Sequence, residues 1–194
     1  MERKTATMKQ ETTFLWNRFT LREAFLLGFC ATFIVLTRAV LRMKFGLPGH
    51  SMFFLMFFLL MARGCVPKLG AATLVGLVAG AVSIMLGMGK NGPLILLNFV
   101  LPAIVVDGAA LFYPRLAINL VACLVVGVVA SASKALTGIL LDFLMGIDTE
   151  IIIRHILITT FFSALFGALG SAMAPAVVRR LQANRLVPAP PASD

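Results

Sequence analysis

Apolar residues fall in six long stretches, roughly 21–41, 51–66, 69–88, 93–113, 116–141 and 151–178, separated by very short polar connections. A spanning helix needs about 20 mostly apolar residues to cross ~30 Å of hydrocarbon. A helix also satisfies its own backbone N–H and C=O groups, which a bilayer core cannot do for it. The pattern therefore predicts an all-α polytopic membrane protein, a six-helix transmembrane bundle over residues 21–180. A polar N-terminal segment, 1–20, precedes it, and a flexible tail, 181–194, rich in Pro and Ala, follows it. The second stretch is the weakest. Only the twelve residues from Ser51 to Ala62 are uncharged before Arg63 interrupts. Pro48 is placed to lengthen that helix at its start, and Arg63 can snorkel. If the segment is re-entrant instead, the spans number five and the termini separate.

Within the stretches, small residues recur at helical spacing. Ala24, Gly28 and Thr32 lie four apart in the first. Ala72, Gly76 and Gly80 do so in the third, and the sixth has two rows, Ser163/Gly167/Ser171 and Ala164/Ala168/Ala172. Such a stripe is flat enough for another helix backbone to approach closely. Internal packing explains most stripes; three are more than a six-helix monomer needs, which leaves one to face a partner. The Met- and Phe-rich run 51–61 is apolar all round and is expected to face lipid.

Composition agrees with a membrane class: 60% of the residues are hydrophobic and 13% charged. The net charge of +9 superficially suggests nucleic acid, but most of the basic residues sit at helix ends, where headgroups and orientation rules place them. The expected orientation follows from counting. The side shared by both termini holds Arg3, Lys4, Lys9, Arg18, Arg22, Arg63, Lys68, Arg115, Arg179, Arg180 and Arg185; the other holds Arg38, Arg42, Lys44, Lys90, Lys134 and Arg154. Eleven against six puts both termini in the cytoplasm of a cell with this chain in its plasma membrane. No cleavable signal segment is visible in residues 1–20. Cys30, Cys65 and Cys123 form no CxxC pair and read as small buried apolar residues, with no disulfide or metal role.

Polar groups in or beside the spans are the functional candidates, since burying them in a membrane is costly. On the predicted outer side the first connection carries Arg42, Lys44, His50 and Ser51, and the third carries Lys90 and Asn91 ahead of Pro93. Arg38 precedes the first, Asn98 lies about a turn beyond Pro93, and Lys134 sits in the outer third of the fifth span. Pro93 is expected to begin the fourth helix, whose amino-terminal amides favour an electron-rich group. Asp142, two turns beyond Lys134, is a partner for it or part of the same pocket. Together these residues describe a polar, cation-rich pocket opening outward, suited to a small polar or anionic ligand. The competing reading is that Arg38, Arg42, Lys44 and Lys90 merely snorkel and that His50 caps a helix. His50 and His155 are too few for a metal site. Asp107, the one carboxylate well inside a span, is placed to pair with Arg63 or Arg115; the alternative is a role in transport or gating.

No catalytic motif is present: no HExxH, GxSxG or P-loop. No catalytic residue, metal or cofactor is expected, and no ATP-hydrolysing machinery lies in this chain.

Six spans in about 190 residues, termini on one side and the Ala24/Gly28/Thr32 stripe on the first helix resemble the substrate-binding S component of an energy-coupling factor (ECF) transporter. The resemblance covers nearly the whole chain. It implies a pocket roofed by the connections after the first, third and fifth helices, the same three singled out by their chemistry. It also implies docking of the first-helix stripe onto a transmembrane coupling subunit that works with two ATPases. Ala24 and Gly28 stand where that family has two alanines, and Thr32 extends the row. The function implied is capture of a vitamin-like or other small nutrient; the alternative is a small carrier or channel without ATP, or a structural subunit of a larger complex. Single cysteines at Lys9→Cys and Ser193→Cys should both react only from the cytoplasmic side in accessibility labelling; reaction from opposite sides would refute the six-span topology.

Overall fold

A computed structural model describes residues 19–44, 49–88, 92–113, 116–144 and 149–184. Among the described residues six α-helices follow the six apolar stretches: α1 Leu21–Lys44, α2 Ser51–Cys65, α3 Ala71–Met85, α4 Leu97–Phe112, α5 Leu120–Leu144 and α6 Thr149–Ala183. Short 3₁₀ turns, Gly92–Leu96 and Leu116–Ile118, lead into α4 and α5. No strand occurs among the described residues. Segments Leu21–Val40, Leu94–Phe112 and Leu157–Ala183 are long and apolar enough to cross a membrane. Helices α2 and α3 have 15 residues each, about 22 Å at 1.5 Å per residue, short of the ~30 Å hydrocarbon thickness.

Local chemistry sets the helix ends. Thr20 and Glu23 form a capping box at the start of α1: the Thr20 N–H donates to Glu23 Oε2 at 2.7 Å and the Glu23 N–H to Thr20 Oγ1 at 3.4 Å. Helix α2 ends at Cys65, two residues before Pro67. Helix α3 closes in a Schellman motif, with Gly87 at φ +62°, its N–H donating to the Ile84 carbonyl and that of Met88 to Ser83. The fourth helix does not begin directly at Pro93; the chain takes a 3₁₀ turn from Gly92 and becomes α-helical at Leu97. That moves Asn98 into the first α-helical turn.

Helix α2 occupies the centre, touching α1, α3, α4, α5 and α6. Met52, Leu55, Met56, Leu59 and Leu60 are at most 3% exposed. This corrects the expectation that the Met- and Phe-rich run faces lipid. Apolarity on every side marks a helix covered on every side as well as one bathed in lipid, and a helix too short to span is accommodated by enclosure within longer ones. Cys30, Cys65 and Cys123 are buried and unpaired, as expected.

Two of the small-residue stripes are seams inside the bundle. A Cβ on Gly76 would lie 2.8 Å from the Phe99 carbonyl of α4, and one on Gly80 would meet Leu96. From α6, Gly167 lies against Ser131 and Ser171 against Gly127, both on α5, while Gly170 lies directly on the Phe53 carbonyl of α2. The first-helix stripe differs. Ala24, Gly28 and Thr32 are all exposed, and a Cβ on Gly28 would meet nothing within 4 Å.

Gly170→Ala should lower the detergent-solubilised melting temperature by the equivalent of about 1–3 kcal/mol, the cost of overpacking. Gly28→Ala should be neutral or slightly stabilising, since Ala is the better helix former. Equal effects in thermal unfolding followed by helical dichroism would show that the α6 seam does not hold the bundle.

Candidate functional site

At the end of the bundle away from the termini, three helices carry polar side chains. Arg38, in the last third of α1, is half-buried, and its guanidinium carbon lies 4.6 Å from the centroid of the Phe99 ring. That stack is a cation–π contact. Phe99 is fully buried on α4, next to half-buried Asn98. Lys134 of α5 lies within electrostatic reach of Arg38. Lys134 itself is half-buried. Pro102 has no N–H, so it removes the donor that would otherwise bond the Asn98 carbonyl one turn back.

Arg38, Asn98 and Lys134, all half-buried, thus lie at the same end of the bundle. His50 sits at the head of α2, half-buried, and makes no side-chain capping bond. Its neighbour Gly49 makes the turn, at φ +90°, pressed against the backbone of Phe162 and Ser163. Arg42 and Lys44 lie on the last turns of α1 and Asp142 on α5, but their side chains are outside the described residues, as are Lys90 and Asn91 altogether. Phe99 escaped the sequence reading because one aromatic in an apolar run carries no signal. So did the hydroxyls of Ser83 and Ser163, which are buried without a hydrogen-bond partner among the described residues.

A groove of about 250 Å³ lies elsewhere, between α1 and α3, lined by Ala31, Thr32, Val35, Val78 and Val82 among others. It is apolar and runs beside the small-residue stripe. The Thr32 hydroxyl donates to the Gly28 carbonyl at 2.9 Å, which leaves this face without an unsatisfied hydroxyl.

The opposite end is organised by ion pairs. Asp107 of α4 accepts the Thr73 N–H and the Thr73 hydroxyl, both at 2.7 Å, and the Ala72 N–H at 3.4 Å. It therefore caps α3 from a neighbouring helix, where the helix dipole favours a carboxylate. Arg63 Nε stands 3.9 Å from Asp107 Oδ1 and also donates to the Lys68 carbonyl. The expected pairing of Asp107 with Arg63 is present; the role of Thr73 was not foreseen. Lys68 in turn holds Glu23 at 2.7 Å. This network joins α1 to α4 and is structural. Among the described residues no group of His, Cys, Asp and Glu is placed to hold a metal ion.

No known family profile and no curated protein matches this sequence. A solved structure does: the crystal structure of an S-component of ECF transporter superposes with a TM-score of 0.60 at 15% identity, covering 87% of this chain and 88% of that one. At that identity the likeness is one of fold, and it extends over both chains almost end to end.

Asp107→Ala should destabilise the bundle by about 3–5 kcal/mol, because it uncaps α3 and strands a buried guanidinium. Asp107→Asn, which keeps an acceptor, should cost less. A melting temperature unchanged in Asp107→Ala would show that the network is not structural.

Proposed function

We propose that this protein is the substrate-capture subunit of an ECF-type uptake transporter. It would lie in the plasma membrane with both termini cytoplasmic and take a vitamin-like or other small nutrient from the outer face. The observation that carries the reading is the likeness of fold to an S component over nearly the full length of both chains. The interior polar groups Arg38, Asn98 and Lys134 support it, since they converge at the end that the charge count assigns to the outside. The remaining candidates, Arg42, Lys44, His50, Lys90, Asn91 and Asp142, belong to the same end by sequence.

The docking surface in this reading is the exposed row Ala24, Gly28 and Thr32 on α1. Its partner is a transmembrane coupling subunit that transmits the ATP cycle of two ATPases. A helix of that subunit can approach the row to backbone distance because nothing on the row projects beyond a methyl group or a hydroxyl already bonded to its own helix. The chain itself supplies no ATP-hydrolysing or catalytic group.

The test is co-expression with an ECF coupling subunit and its ATPases from the same source. The tagged protein should carry all three through purification. Gly28→Leu should reduce their recovery about tenfold, the loss of roughly 1.4 kcal/mol of packing, while leaving the isolated protein monodisperse and helical. Failure of the unaltered protein to bring down any coupling protein would refute the assignment; unfolding of Gly28→Leu would show the row to be internal packing.

A further inference from the structure

The exposed row on α1 has a direction as well as a surface, and the contacts that aim it lie beside it. The buried side of α1, Leu27, Cys30, Ala31 and Ile34, is apolar. Apolar packing is non-directional, so it sets the rotation of the helix about its axis only coarsely. Further along, an apolar groove of about 250 Å³ opens between α1 and α3, with Thr32 on its wall. At the first turn the contact is directional. Lys68 Nζ, in the connection between α2 and α3, donates to Glu23 Oε2 at 2.7 Å. The two side chains are only 20% and 23% exposed, so the pair is screened less than one on an open surface. The Lys68 ammonium also lies 5.8 Å from the centroid of the Phe19 ring, just ahead of α1.

Both ends of this contact are anchored. The same Glu23 oxygen accepts the Thr20 N–H at 2.7 Å, which fixes the carboxylate to its own helix. On the other side the Lys68 carbonyl accepts from the Arg63 guanidinium, and Arg63 stands 3.9 Å from Asp107, the carboxylate that caps α3 from α4. A continuous chain of polar contacts thus refers the first turn of α1 to α2, α3 and α4. Glu23 immediately precedes Ala24, the first member of the row. Successive residues are about 100° apart around a helix, so pinning Glu23 toward Lys68 turns the row away from the bundle. We propose that the Glu23–Lys68 ion pair is the positioning contact of the docking face, and that capture of the coupling subunit depends on it although neither residue is on the row. The proposal rests on the docking reading above and adds the residues that aim the surface. Packing at backbone distance gains short-range dispersion and tolerates little misalignment. A row free to turn would lose that freedom on docking, at a cost in affinity.

The experiment compares the full chain with Glu23→Gln, Lys68→Met, the two combined, and Lys68→Arg, each checked for helical dichroism. Glutamine keeps the acceptor for the Thr20 N–H and loses only the charge. Recovery of co-expressed coupling subunit and ATPases should fall about fivefold in each single variant, no further in the double, and little in Lys68→Arg. A second readout needs no partner. Spin labels at Phe25→Cys on α1 and Phe112→Cys on α4, both exposed, report the inter-helix distance by double electron–electron resonance; the native cysteines are buried. The distribution should broaden or shift in Glu23→Gln and Lys68→Met and return in Lys68→Arg. An unchanged distribution overturns the positioning role, whatever the recovery. Equal recovery by every variant overturns the proposal and leaves the docking reading intact. Additive losses in the double variant overturn it too, since the two residues would then act separately. Unfolding of the double variant, in which no charge is stranded, would show the pair to hold the whole fold and also overturn it. If the unaltered protein recovers no coupling subunit, the docking reading fails and this proposal with it.

Discussion

Everything in this bundle depends on how closely helix backbones can approach in a solvent that offers no hydrophobic effect between them. Lipid tails are as apolar as leucine, so helices gain little by hiding large side chains from lipid and gain mainly by dense packing. Here density is reached where glycine and serine meet: Gly127 and Ser131 of α5 against Gly167 and Ser171 of α6, and Gly170 of α6 on the Phe53 carbonyl of α2. These seams draw α2 to the centre, and its enclosure makes a 15-residue helix tolerable in a layer it is too short to cross. The same arrangement of helices around α2 sets Arg38 of α1 on the Phe99 ring of α4.

The two ends of the bundle treat charge differently. Where the termini lie, each charged group in the network has a partner of opposite sign, and Asp107 doubles as a cap for α3. That end is a clamp: it holds α1, α3 and α4 at fixed separations. At the other end Arg38 stacks on the Phe99 ring and lies within electrostatic reach of Lys134.

Much of this was legible in the sequence, for reasons that differ by feature. The six helices could be read because continuous apolar runs have few other solutions in a bilayer. Arg38, Asn98, Lys134 and Asp107 could be singled out because a polar residue in such a run is conspicuous, and charge and depth narrowed the partner of Asp107 to Arg63 or Arg115, between which the fold chooses Arg63. Small residues four apart announce a close approach but not what approaches; only the fold separates the exposed row on α1 from the seams on α3 and α6. The Met- and Phe-rich run misled because apolarity on all sides is common to a helix in lipid and a helix in a core. Thr73 and Phe99 were not legible at all. Their roles come from which neighbour reaches them across the bundle, and nothing local to their own segments encodes that.

Helices joined at backbone distance have no slack. The Gly170 contact on the Phe53 carbonyl and the interlocked Gly127/Ser171 and Gly167/Ser131 pairs leave no room for α6 to slide along α2 or α5 without first lifting away from them. Helices α2, α5 and α6 therefore behave as a single stiff shaft. A push on any one of them, from whichever side of the membrane it comes, turns or tilts all three together. Helix α1 meets α2 through side chains such as the Phe33–Phe58 ring pair, 5.6 Å apart, a contact that can give; beyond the Glu23–Lys68 pair that anchors its first turn, α1 is tied to that shaft by side chains and not by backbone.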